Sequence, residues 1–128
     1  MSHEITWILK DAVIAIHGRQ IAEHGGSDGV RDEGLLLSAL ARPENLYAYG
    51  ENPDLAALAA AYAFGIAKNH PFIDGNKRTA LVVARTFIKI NGADIAANQE
   101  DKYTTFLKLA EGSLSEDELA EWIRQKLV

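Results

Sequence analysis

Thirteen consecutive residues, Leu55 to Ala67, carry no charge and no strongly polar group. Asp54 precedes the run and Lys68 closes it, the order of charges that suits a helix dipole, so the spacing predicts a helix over 55–69. A helix that is apolar on most faces must be buried on most faces. The run is also well short of the roughly 20 residues that a membrane-spanning helix needs. The segment is therefore expected at the centre of a bundle, and the rest of the chain has to coat it.

The flanking segments supply that coat. Ala12, Val13, Ile16, Gln20, Ile21 and Ala22 form a stripe at helical spacing in a helix from about Leu9 to His24, ended by Gly25 and Gly26. Ile5 to Ile8 reads as a short extended piece before it. After a polar loop, Ser27 to Arg31, Asp32 is expected to cap a helix through Leu35, Leu36, Ala39 and Leu40 to Arg42, which Pro43 should stop. Glu44 to Asp54, ENLYAYGENPD, then reads as the longest loop, a flap whose Tyr47 and Tyr49 are candidates to receive a partner.

Downstream, Ala80, Leu81, Val83, Ala84, Phe87, Ile88 and Ile90 predict a second core helix closing at Asn91-Gly92, with Ala93 to Ala96 as an extended link. A helix over about Glu100 to Glu111 is expected to turn Tyr103, Phe106, Leu107 and Ala110 inward, and Gly112 ends it. Ser115 with Glu118 three residues on is a capping box for a last helix burying Leu119, Trp122, Ile123 and Leu127. Five or six helices with almost no strand make an all-α fold, and residues 1–128 read as one domain.

Composition narrows the function. The chain has no cysteine, which excludes disulfides and thiolate metal sites and fits a reducing, cytoplasmic setting. A net charge of −5 argues against wrapping nucleic acid or an anionic membrane, while leaving room for a local cationic cluster that holds one nucleotide. The start, MSHEITWILKD, has no basic n-region before a long apolar stretch, so no targeting signal is expected and the segment is read as part of the fold. His17 and His24 lie about 10 Å apart along a helix axis, too far to share a metal ion, and are read as structural or surface residues.

The chemistry concentrates in His70 to Ala80, HPFIDGNKRTA, between the two core helices. Gly75 and Asn76 open a helix that carries Lys77 and Arg78 in its first turn. Unpaired N–H groups, the positive dipole end and two cations converge there, a point that attracts a phosphate. Basic residues at this end oppose the dipole unless an anion is present. Asp74 fits beside a phosphate if a divalent cation such as Mg²⁺ lies between them. His70 carries an imidazole, a group suited to accepting a proton from a hydroxyl nucleophile. Phe72 is expected to anchor the loop inward and Pro71 to stiffen it.

These residues resemble the motif H-x-F-x-[D/N]-[A/G]-N-K-R of the death-on-curing (Doc) toxins, the compact branch of the Fic-domain family. His70, Phe72, Asp74, Gly75, Asn76, Lys77 and Arg78 stand at its positions, and HGGSDGVRDEGLLLSALARP and EGSLSEDELAEWI resemble the same family. The resemblance implies a six-helix Fic fold and ATP-dependent phosphorylation of a hydroxyl on translation elongation factor Tu, which halts protein synthesis. It implies His70 as general base, Asp74 as the Mg²⁺ ligand, and Gly75, Asn76, Lys77 and Arg78 as the residues around the ATP phosphates, with Lys77 and Arg78 also catalytic.

Adenylyl-transferring Fic enzymes resemble H-P-F-x-x-G-N-G-R-x-x-R instead. Here Lys77 replaces the second glycine and Leu81 the second arginine, which favours phosphoryl over AMP transfer, although Pro71 and Gly75 match the adenylylating pattern. The inhibitory pattern [S/T]-x-x-x-E-[G/N] is not met at Glu33, Glu51 or Glu111. The resemblance therefore implies silencing by a separate small antitoxin whose C-terminal segment covers the active-site groove, with the tyrosine-bearing flap as one docking surface. An alternative of another class is a non-catalytic module that tunes an antitoxin's repression of its own operon.

Overall fold

A computed structural model describes residues 4–128, so the expectation for Met1 to His3 lies outside the described residues. Six helices follow one another: α1 (Lys10–His24), α2 (Glu33–Tyr49), α3 (Leu55–Asn69), α4 (Asn76–Ile90), α5 (Gln99–Glu111) and α6 (Glu116–Lys126). Among the described residues β structure is confined to two isolated bridges, Val30 with Phe72 and Ile95 with Leu127. The fold is all-α, as the periodicities predict.

Helix α3 occupies the centre. Ten of its fifteen residues are buried, including the run Leu58 to Ala63, and it packs against α2, α4, α5 and α6. Its alanines keep it thin enough to be surrounded. The closest approach is to α2, where a Cβ placed on Gly65 would lie 3.0 Å from Ala39 Cα and 3.1 Å from Ala39 O. At that crossing a side chain on α3 would push the two backbones apart.

Pro43 does not stop α2, contrary to expectation. The helix runs through it to Tyr49. Proline removes the N–H that would bond the Ala39 carbonyl and crowds that carbonyl, normally a cost of about 3 kcal/mol. Here Leu36, Ala39, Leu40 and Pro43 are all buried, Leu46 packs on the core, and Tyr47 meets the Trp7 ring edge-on at 5.6 Å, so tertiary packing carries the helix onward. The expected flap shrinks to a short link, Gly50 to Asp54. Tyr47 and Tyr49 are helical residues, Tyr47 against Trp7 and Tyr49 exposed to solvent.

Two further expectations are corrected. The buried face of α1 is Val13, His17 and Gln20, while Ala12 and Ala22 are exposed, because α1 packs chiefly on α4 and offers only a narrow inner face. On α5, Phe106, Leu109 and the stem of Lys102 are buried and Tyr103 is exposed. Ile5 to Ile8 is a non-helical strap held by side chains: Asn91 Oδ1 accepts from Thr6 N at 2.9 Å, Asn91 Nδ2 donates to Thr6 O at 2.9 Å, and Ile8 N donates to Tyr62 Oη at 3.2 Å. Burial pushes the Tyr62 hydroxyl up to about 12. The link at 93–96 is extended as expected, with Asp94 and Val128 exchanging backbone hydrogen bonds at 3.2 and 3.0 Å.

Side-chain caps start four helices, from Asp32, Asp54, Asn98 and Ser115, the last in a full capping box. Asp54 serves two elements at once. It accepts from Ala57 N at 2.9 Å and from Arg124 of α6 at 2.5 and 3.0 Å. The Arg124 hydrogen bond holds the Asp54 carboxyl below its ordinary range, against a smaller opposing effect of burial.

Two outcomes are expected. Gly65→Ala forces a Cβ onto Ala39 and should destabilise the fold by about 1–3 kcal/mol, read as a lower urea midpoint. Because the Asp54 pKa is depressed on folding, its contribution is present above the unfolded value of about 3.9 and is lost as pH falls through the folded value. Asp54→Asn should accordingly flatten the fall in thermal midpoint below about pH 4 relative to the unsubstituted chain.

Candidate active site

The end of α3 delivers the chain into the motif. His70 is its C-cap in the left-handed region, with φ 48° and ψ 56°, and its N–H still bonds Ile66 O at 3.2 Å. That conformation costs a non-glycine residue about 1–2 kcal/mol. Arg31 compensates from the α1–α2 loop, donating through Nε to His70 O at 2.7 Å and through Nη2 to Asn69 O at 2.9 Å. A cation on the terminal carbonyls of a helix satisfies orphan acceptors and suits the dipole.

The same loop backs the motif residue by residue. Arg31 N and Asp32 N donate to Pro71 O at 2.7 and 3.1 Å, and Ile73 N donates to Gly29 O at 3.0 Å. Phe72 is buried as predicted and stacks on His17 with ring centroids 3.9 Å apart and planes within 6°. His17 Nε2 donates to Asp74 O at 2.7 Å, since a carbonyl can only accept, and Nδ1 lies 3.5 Å from Asp28 Oδ1. The structural role expected for His17 is thus specific: it supports the loop from beneath. His24 lies exposed at the rim of the cleft.

Asn76 is a buried staple. Its Oδ1 accepts from Phe72 N and its Nδ2 donates to Phe72 O, both at 3.0 Å. With both ends of the amide so engaged, what Asn76 offers toward solvent is its backbone N–H. Gly75, at φ 75°, precedes it, so no side chain caps the opening N–H groups of α4, whose first residues Asn76, Lys77 and Arg78 line the cleft. Lys77 is exposed, Arg78 is half-buried with its guanidinium 5.4 Å from the Tyr103 ring centroid, and neither has a carboxylate partner among the described residues.

Asp74 is exposed beside this N-terminus. Its Oδ1 accepts from Gly75 N at 2.8 Å, while Oδ2 sits where a Cβ on Gly26 would come within 2.7 Å. Gly26, at φ +115°, therefore leaves room for the carboxylate.

His70, Asp74, Gly75, Asn76, Lys77 and Arg78 all line one cavity of about 290 Å³. A larger one of about 650 Å³ adjoins it, shares Arg78 and Tyr103, and continues along α4 to Arg85 and Lys89. All six residues singled out in the sequence come together. Arg31, Asp28 and Tyr103 were not foreseen as part of the site, since a loop arginine and an aromatic on a neighbouring helix carry no local signal of it.

Asn76→Ala leaves Phe72 N and O buried without partners. It should lower stability by about 1–3 kcal/mol in urea unfolding.

The model of the Fic/DOC family matches residues 7–88. The chain is 48% identical over 75 residues to Toxin Doc of Mycolicibacterium smegmatis, a match that spans 58% of this chain and 58% of that protein. It is 33% identical over 118 residues to Protein kinase doc of Escherichia phage P1, covering 92% of this chain and 93% of that protein.

Proposed function

The chain belongs to the Fic/Doc family, and on that premise we propose that it is a toxin of a toxin–antitoxin pair acting as an ATP-dependent protein kinase on a hydroxyl of elongation factor Tu. The observation that carries this reading is the uncapped, doubly cationic N-terminus of α4 lining the same cavity as His70. An anion hole and a base at one cleft are what phosphoryl transfer requires, because its catalysis is mostly positioning and charge stabilisation.

In this reading His70 accepts the proton of the acceptor hydroxyl as its oxygen bonds to the γ-phosphorus, and the bond from that phosphorus to the departing ADP oxygen breaks. The N–H groups of Asn76, Lys77 and Arg78 cradle the phosphoryl oxygens, and the Lys77 and Arg78 side chains counter their charge. Lys77 stands where an adenylylating enzyme would have glycine, so a cation rather than bare backbone meets the donor.

Mg²⁺ fits the donor set. Asp74 holds one carboxylate oxygen toward the Gly26 side, and among the described residues no group of three or more acidic or histidine side chains gathers to enclose a metal. One carboxylate, with phosphate oxygens and water for the remainder, is ordinary for Mg²⁺. The ion would neutralise phosphate charge next to Asp74.

The name of the phage relative, a protein kinase, favours phosphoryl over AMP transfer. A silencing antitoxin would have to cover the cleft between α1, α4 and α5, since Tyr47 and Tyr49 sit on α2 rather than on a flap. Among the described residues no helix is long and apolar enough to cross a membrane; the proposed site of action is the cytoplasm, where an elongation factor works.

Intact-mass analysis of elongation factor Tu incubated with ATP, Mg²⁺ and this protein tests the reading. A gain of one phosphate group is expected, and a gain of one AMP would select nucleotidyl transfer instead. His70→Ala should slow transfer by about 10²–10⁴-fold. Growth inhibition by His70→Ala equal to the unsubstituted chain, in cells lacking antitoxin, would favour the non-catalytic binding module.

A further inference from the structure

His70 borders two cavities and is the sole residue they share. One is the cationic cavity of about 290 Å³ formed with α1 and the start of α4. The other, about 400 Å³, lies between the end of α3 and the α5–α6 turn, lined with His70 by Phe64, Lys68, Leu109, Ala110, Glu111 and Leu114 among others. We infer that this second cavity is the acceptor subsite, which seats an uncharged, part-apolar peptide segment so that its hydroxyl reaches His70; the inference rests on the transferase reading above.

The chemistry of transfer separates donor and acceptor. In an in-line displacement the attacking oxygen approaches the phosphorus opposite the leaving oxygen, so the acceptor enters from the side away from the departing ADP. The cationic cavity holds the anion-binding N–H groups and both unpaired cations, which assigns it to the polyanionic donor. The base must then meet the acceptor away from the bulk of the donor, and His70 lines the second cavity as well as the first.

Its lining suits a neutral peptide and not a second phosphate. Lys68 and Glu111 bring one charge of each sign, and Phe64, Leu109, Ala110 and Leu114 are apolar. The helix N-terminus at its edge is already satisfied: Ser115 Oγ accepts from Glu118 N and Glu118 Oε1 accepts from Ser115 N, both at 3.0 Å. The wall is also pre-formed. Ser113 N and Leu114 N donate to Lys108 O at 3.0 and 3.2 Å, and Arg42 lies 4.6 Å from the Phe64 ring centroid while pairing with Glu116. A cavity of this size, with its turn fixed by hydrogen bonds, can select the residue that flanks the hydroxyl.

The absence of native cysteine makes a direct test possible. Ala110→Cys places one thiol in the cavity with little change in volume. Elongation factor Tu should suppress its modification by N-ethylmaleimide, read from the mass of this chain, whereas ATP with Mg²⁺ should not. The modified protein should show a KM for elongation factor Tu raised about tenfold, with nucleotide affinity unchanged by calorimetry. Labelling that elongation factor Tu leaves unaffected, or a modified protein that phosphorylates it with the original KM, overturns the acceptor subsite alone. No transfer by the unsubstituted chain overturns the kinase reading and this inference with it.

Discussion

The burial of α3 on nearly all sides is the constraint from which the rest of the structure follows. A helix surrounded by α2, α4, α5 and α6 has little free flank, so its neighbours must come close and its ends must open at the surface. Closeness is met by alanine and by Gly65 at the crossing with Ala39. The opening at the C-terminal end becomes the site: the chain turns through a left-handed His70, and the last carbonyls of α3 need donors that the helix itself cannot provide. Arg31 supplies them, which is why a residue from the α1–α2 loop belongs to the architecture of a centre formed by α3 and α4.

The loop that results is held by polar groups with few spare bonds. Asn76 closes it on itself, His17 bonds it from below and stacks on Phe72, and residues 29–32 pair with its backbone. A buried network of this kind is rigid because each group left without its partner would carry a desolvation cost. Rigidity has a chemical use at this location. The N–H groups at the start of α4 can stabilise charge in a transition state only if they are oriented beforehand. In a chain of net charge −5, two cations without carboxylate partners at this point further bias the cleft toward an anion.

Much of this was legible from the residue order, and the exceptions share a cause. The bounds of α3, the start of α4 and the Ser115 capping box follow from local pattern, since periodicity, glycine and cap residues act within a turn or two of the chain. Pro43 was misread because its local effect is to end a helix, whereas burial of Leu36, Leu40 and Pro43 against α3 outweighs one lost hydrogen bond. Tyr103 was misread in the same way. An aromatic at core spacing was expected inward, but α5 turns the stem of Lys102 inward and leaves Tyr103 beside Arg78.

By itself the sequence determined that this is an all-α chain with a buried central helix, that it belongs with the Fic/Doc proteins, and that His70, Asp74, Gly75, Asn76, Lys77 and Arg78 make its candidate site. These are properties of contiguous residues, and a nine-residue stretch contains all six. Only the tertiary structure decided how they are held and that His70 borders two cavities. Arg31 is 39 positions from His70 and His17 is 57 from Asp74. Contacts over such separations depend on how the helices pack around α3, so no local spacing encodes them.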